Sequence, residues 1–157
     1  MSDRILIIRT VNIEELGPLI DTCRARWPTA RLCVLTSPNR REELSPDPKI
    51  DEVIDYRMTP SGFESPWNDG RRYRALVVPI RNSRGWGYGN VWKAISSVAA
   101  ESFWVAAWGQ KLIPVKLRGM LCRAQAERFL KSACGAAAWM IAQLFLLRIR
   151  PGRKGAA

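Results

Sequence analysis

The first of two segments that could carry chemistry lies between an apolar run and a helical pattern. Thr10, Asn12 and Glu15 follow the apolar residues 5–8 and precede helically spaced apolar residues. A carboxylate at this position can act as a general base in group transfer, with Thr10 and Asn12 contacting the substrate. Acids such as Glu14 and Glu15 also suit the positive end of a helix dipole, and Asn12 suits the helix N-cap. The sequence therefore leaves two roles open for Glu15, catalysis and helix capping.

The second segment is rich in glycine and follows a predicted strand. Alternate glycines leave backbone N–H groups accessible at the start of a helix, where phosphate or sugar hydroxyls can bind. Its aromatic rings offer flat faces for stacking on a sugar. A tight turn with aromatic residues covering the core fits the same pattern, so both interpretations stay open. The candidate substrate-binding residues of this segment are Asn82, Gly85, Trp86, Gly87, Tyr88, Gly89 and Asn90.

The composition excludes several kinds of catalytic site. The 157 residues include no histidine, so the chain has no Ser-His-Asp triad and no His-ligated zinc. The four cysteines form no C-x-x-C pair, and we expect reduced, mostly buried thiols in a cytosolic compartment. The first strand–helix loop has no glycine before Gly17, and no Walker sequence occurs, so neither common nucleotide motif is present. We expect no metal and no cofactor.

Strand-length apolar runs alternate with helical stretches, which predicts βαβ units and a parallel sheet. Runs apolar on both faces indicate strands that helices cover on both sides. We therefore expect an α/β fold: a Rossmann-like parallel sheet of about five strands, with helices on both faces and a further apolar helix at the C-terminus. Residues 57–70 predict a long loop with room for one helical turn. The predicted strands are residues 5–8, 32–35, 50–56, 75–80 and 103–107, with residues 112–115 pairing back and a helix at about residues 91–100.

The positive charge is concentrated in the last third of the chain. Residues 1–110 carry 15 basic and 13 acidic residues, whereas residues 111–157 carry 10 basic residues and one acid, Glu127. Residues 129–147 are almost entirely apolar, and basic residues flank them. This pattern favours binding to an anionic membrane surface, with a helix packed on the sheet as the alternative. We therefore divide the chain into a domain at residues 1–115 and a basic, apolar helical tail at residues 116–157.

Three segments, ILIIRTVNIEELGPLI, ARLCVLTSPNRREEL and IDEVIDY, resemble the N-terminal half of GT-B glycosyltransferases of the lipopolysaccharide heptosyltransferase type. The resemblance covers roughly residues 4–100 and is most specific in WPTARLCVLTSP and IDEVIDY. It implies a role in envelope polysaccharide or glycolipid synthesis at the cytoplasmic face of the inner membrane, with a sugar or lipid-linked acceptor. The family's catalytic acid falls on Glu15, and the glycine before that acid falls on Glu14.

The resemblance also implies that the nucleotide-sugar donor binds in a second Rossmann-like domain. Residues 111–157 are basic and apolar instead, so we expect an acceptor-side half-domain that does not complete transfer alone. A donor-binding partner chain is one way to complete it. One alternative is a small enzyme that acts on a sugar or phosphorylated substrate at the glycine-rich segment. A nucleic-acid-binding protein is a weaker alternative, because the basic residues flank an apolar helix instead of alternating with exposed aromatic residues.

Overall fold

The computed structural model describes residues 3–44, 47–59, 62–64, 70–81, 87–107 and 111–149, with the backbone alone at residues 57–59, 62–64 and 136–149. A short 3-10 helix at Pro38–Arg40 precedes the second α-helix. The strands are β1 (Arg4–Ile8), β2 (Arg31–Thr36), β3 (Glu52–Asp55), β4 (Arg57–Thr59), β5 (Gly62–Glu64), β6 (Arg72–Ile80), β7 (Ala99–Ala107) and β8 (Lys111–Val115). The helices are α1 (Ile13–Arg26), α2 (Arg41–Leu44), α3 (Gly89–Ile95) and α4 (Leu117–Ile149).

Six strands form one sheet in the order β3-β2-β1-β6-β7-β8. The first five run parallel, and β8 pairs antiparallel with β7. The structure therefore confirms a mixed α/β fold with a mostly parallel sheet, which has six strands in place of about five. Residues 112–115 pair back onto the sheet as predicted. The strand order reverses between β1 and β6, and this reversal creates a topological switch point.

The sheet is buried on both faces because each strand sends alternate side chains to opposite sides. Ile5 and Ile7 join one core with Leu16, Leu19 and Ile20 of α1. Leu6 and Ile8 join the other core with Trp92 and Ile95 of α3 and Met120 of α4. Continuous apolar runs are needed in a strand that is covered this way, which explains the runs in β1 and β2. Helices therefore flank both faces of the sheet, as predicted.

Two local predictions are wrong. Residues 57–70 do not form a simple loop, because β4 and β5 pair there as a two-stranded antiparallel sheet. Strands of three residues are too short for alternation of apolar side chains to reveal them. The helix predicted to reach Ala100 ends at Ile95, and β7 begins at Ala99. Alanine favours helices, but Ala99 and Ala100 pair with Arg72 and Tyr73 of β6, and such tertiary pairing overrides local propensity.

The helix α4 has 33 residues, and its first part packs on the sheet. Met120 is buried, and Leu117, Leu121 and Ala124 pack against the same core. Among the described residues, no helix combines the length and the hydropathy needed to cross a bilayer. The apolar C-terminal helix and the separate unit at residues 116–157 stay predictions.

Candidate functional site

The carboxyl ends of β1 and β6 meet at the switch point, where ligands bind in open α/β sheets. The loop after β1 carries Thr10 and Asn12 and leads into the first turn of α1 at Glu15. Arg81 follows β6 directly, and Tyr88 immediately precedes α3. We call these five residues the switch-point crevice.

An ion pair joins the two sides of the switch-point crevice. Arg81 Nη2 donates a hydrogen bond to Glu15 Oε1 over 3.0 Å, although the residues are 66 positions apart in sequence. Both side chains are about half exposed, so solvent and ligands can reach them. Asn12 is the N-cap residue of α1, as predicted, but its side chain makes no capping hydrogen bond. The crevice therefore presents a guanidinium donor beside a carboxylate acceptor.

Two further hydrogen bonds hold the walls of the switch-point crevice. The Thr10 hydroxyl donates to the Pro79 carbonyl, which fastens the loop after β1 to β6. The backbone N–H of Arg81 donates to the Tyr88 hydroxyl over 3.1 Å. Tyr88 also packs against the core, in line with the interpretation that aromatic residues of this segment cover the core. These contacts place Thr10 and Arg81 at the carboxyl ends of the neighbouring strands β1 and β6.

The described part of the glycine-rich segment contacts α4. The Gly87 N–H donates to both Glu127 oxygens, at 3.2 Å to Oε1 and 3.0 Å to Oε2. Arg128 Nη2 donates to Asn90 Oδ1 over 2.7 Å. The lining of a cavity of about 160 Å³ consists of Gly87, Gly89, Asn90, Ala124, Glu127, Arg128 and Lys131. The predicted site residues Asn82, Gly85 and Trp86 lie outside the described residues.

Glu127 is buried, although the sequence marks it only as the single acid of residues 111–157. Its Oε1 also accepts a hydrogen bond from Lys131 Nζ over 2.6 Å. The Lys131 ammonium and the Gly87 N–H hold the pKa of Glu127 below its usual value, although desolvation opposes them. The buried carboxylate is therefore charged at neutral pH. It connects α4 to the loop that contains Gly87 by accepting the hydrogen bond from the Gly87 N–H.

A second polar cluster at the same edge of the sheet includes Arg9, which nothing in the sequence distinguishes beyond its place after an apolar strand. The Arg9 side chain is only 9% exposed, and it donates to Thr36 Oγ1 at 3.3 Å and Glu43 Oε2 at 3.1 Å. Its Nε is buried and makes no hydrogen bond in the described part of the chain. The Arg9 guanidinium thereby links the ends of β1 and β2 to α2.

The described candidate residues form two neighbouring groups. Thr10, Asn12, Glu15 and Tyr88 lie at the switch-point crevice with Arg81, whereas Gly87, Gly89 and Asn90 lie against α4. No family model, curated protein or solved structure matches the chain. The chemistry of the two groups therefore carries the functional assignment.

Proposed function

We propose that the protein is the acceptor-binding half of a GT-B-type glycosyltransferase in envelope polysaccharide or glycolipid synthesis. The observation that carries this proposal is the Arg81–Glu15 ion pair across the switch-point crevice. The resemblance of roughly residues 4–100 to heptosyltransferase-type enzymes supports the same class. The proposed location is the cytoplasmic face of the inner membrane, where such acceptors are assembled.

A sugar acceptor suits the chemistry of this crevice. The Arg81 guanidinium donates hydrogen bonds and the Glu15 carboxylate accepts them, so together they can bind neighbouring hydroxyls of one ring. Hydrogen bonds to charged groups are stronger than those between neutral groups. The half-exposed pair can exchange part of its contact with water for contact with the sugar.

Glu15 is also the proposed general base. In the transfer, an acceptor hydroxyl oxygen attacks the anomeric carbon of the donor and gives its proton to Glu15, while the nucleoside diphosphate leaves with the bonding electrons. A donor-binding partner chain is proposed to hold the nucleotide sugar. In this proposal the chain alone binds acceptor but completes no transfer.

Binding of the full chain to core oligosaccharides released from lipopolysaccharide tests the proposal by calorimetry, with UDP-glucose as a donor probe. We expect oligosaccharide binding that Arg81→Ala weakens roughly tenfold, because hydrogen bonds to charged groups contribute about 1.5–3 kcal/mol. Arg74→Ala is the matched control, since Arg74 lies on β6, which Arg81 follows directly, and also forms a half-exposed ion pair, with Asp3 at the opposite edge. Equal affinity in the wild type and Arg81→Ala would refute the proposed acceptor site.

A further inference from the structure

The direction of α4 carries its C-terminal part toward the edge of the sheet where the switch-point crevice lies. Because β8 runs antiparallel to β7, α4 begins near the amino edge of the parallel strands. Glu127 then reaches Gly87, which follows β6 beyond its carboxyl end. At 1.5 Å per residue, the ten steps from Leu117 to Glu127 span about 15 Å, close to the length of a five-residue strand. The rest of α4 therefore continues past the edge where the crevice opens.

The next two turns of α4 do not pack on the sheet, although the Arg128 side chain still donates to Asn90 and the Lys131 side chain pairs with Glu127. Every residue from Arg128 to Gly135 is exposed, which cannot hold for a helix with one side packed on a sheet. The exposed segment, defined as residues 128–135, contains Phe129 at 74% exposure and Leu130 at 51%. Large apolar side chains that are adjacent and this exposed are typical of surfaces that another molecule covers.

The charged side chains from Arg128 to the end of the chain are all positive. Residues 128–157 contain six basic residues and no acid. Glu127, just before the exposed segment, directs its carboxylate to the Gly87 N–H. Apolar side chains flanked by Arg128 and Lys131 suit an anionic bilayer, because the rings and chains enter the acyl boundary while the cations contact lipid phosphates.

We infer that the exposed segment docks on an anionic bilayer surface and holds the switch-point crevice against the lipid headgroups. The natural acceptor in the crevice is then the sugar head of a membrane lipid, and the released oligosaccharide is its soluble probe. The identity of the acceptor rests on the proposed function, whereas the docking itself does not.

Co-sedimentation of the full chain with vesicles tests the docking. We expect binding to vesicles of phosphatidylglycerol mixed with phosphatidylcholine, and little binding to phosphatidylcholine alone. Phe129→Ser combined with Leu130→Ser, and separately Arg128→Gln combined with Lys131→Gln, should each reduce binding roughly tenfold, because each removes one of the two contributions to interfacial binding. The charge-matched control is Arg40→Gln combined with Lys49→Gln, whose exposed side chains lie on the domain. This control should change binding less than twofold, because it removes two positive charges that lie outside the exposed segment and do not contact the bilayer.

A labelling experiment tests the orientation. Single-cysteine labels are placed at Val11, in the loop after β1, or at Lys49, at the amino edge of the sheet, after the exposed Cys122 and Cys134 are changed to serine. Quenchers attached to lipid headgroups should quench a dye at Val11 more strongly than a dye at Lys49.

The outcomes separate the two proposals. Vesicle binding that survives the Phe129→Ser and Leu130→Ser changes, or stronger quenching at Lys49, would overturn the inference. So would a dimer that these changes dissociate, or RNA binding without vesicle binding. Vesicle docking without oligosaccharide binding would refute the proposed function and leave the docking intact. Circular dichroism of each variant checks that the fold is retained.

Discussion

The backbone N–H of Gly87 donates a hydrogen bond to the Glu127 carboxylate, with 3.0 Å between the nitrogen and Oε2. The contact joins the glycine-rich segment to α4 across forty positions of sequence. An N–H group that the glycine pattern predicts for a phosphate or sugar is therefore bound by the chain's own carboxylate. The role of Gly87 in substrate binding stays a prediction, and the neighbouring switch-point crevice does not depend on it.

Glu127→Gln should lower the melting temperature at neutral pH. The neutral amide loses the ion pair with the Lys131 ammonium and accepts a weaker hydrogen bond from the Gly87 N–H than the carboxylate does. The folded-state pKa of Glu127 lies below its ordinary value of 4.5. The contribution of the Glu127 carboxylate to the free energy of unfolding is therefore complete above pH 4.5, and it is lost as the pH falls through the lower folded-state pKa. The melting temperatures of the wild type and the variant should converge in acid, as measured by circular dichroism. The control Glu42→Gln, on an exposed residue of α2, should show no such convergence.

Gly87→Ala should destabilise the fold through the backbone alone. Gly87 has a φ of +86°, and a Cβ placed there meets no atom within 4 Å. The left-handed conformation costs a residue with a Cβ about 1–2 kcal/mol. Gly17→Ala is the matched control, since Gly17 lies within α1 and its Cβ also meets nothing within 4 Å. That change should raise stability by about 0.5–1 kcal/mol, and urea denaturation measures both. Equal effects of the two changes would contradict the positive φ at Gly87.

Thiol reactivity should divide the cysteines into two pairs. Burial raises the pKa of Cys23 to about 12 and that of Cys33 to about 11, so neither forms much reactive thiolate near pH 8. Cys122 and Cys134 are exposed on α4. Ellman's reagent should therefore titrate two thiols rapidly in the native protein and four after denaturation, with mass spectrometry locating the first two. Rapid modification of Cys23 would contradict the packing of α1 on the sheet.

Met120→Ala should cost about 2–5 kcal/mol, the usual range for removing a large side chain from a core. Met120 is buried in the core that contains Trp92. Cys122→Ala, two residues further along α4 but exposed, should change stability by less than about 0.5 kcal/mol. Chemical denaturation of both variants measures the difference. If Met120→Ala left the free energy of unfolding unchanged, the first part of α4 would not be packed on the sheet.

The isolated chain should give no detectable glycosyl transfer with sugar nucleotides, as judged by mass spectrometry of the acceptor. Glu15→Gln should lower stability by at most about 1 kcal/mol, because the Arg81–Glu15 pair is half exposed and such pairs contribute little. Robust transfer by the purified chain, slowed roughly 100-fold in Glu15→Gln, would show a working general base. That result would favour the alternative of a complete small enzyme.

Local patterns in the sequence were sufficient to predict the parallel sheet and the position of the switch-point crevice. Apolar runs at residues 5–8, 32–35 and 75–80 form β1, β2 and part of β6, because a strand covered on both faces needs apolar residues at successive positions. Helical spacing of apolar residues likewise predicts α1. Since ligand-binding loops follow the carboxyl ends of parallel strands, Thr10 and Glu15 could be selected before their partners were known.

Tertiary packing alone decided which side chains those residues meet. Glu15 pairs with Arg81 over 66 positions, and Gly87 binds Glu127 over forty. Neither separation leaves a periodic signal, because these contacts depend on how a helix lies against a distant loop. The same reason explains β7, in which pairing with β6 overrides the helix propensity of Ala99 and Ala100. Local periodicity reports which face of an element is buried, whereas the partner on that face is set by the packing of the whole chain.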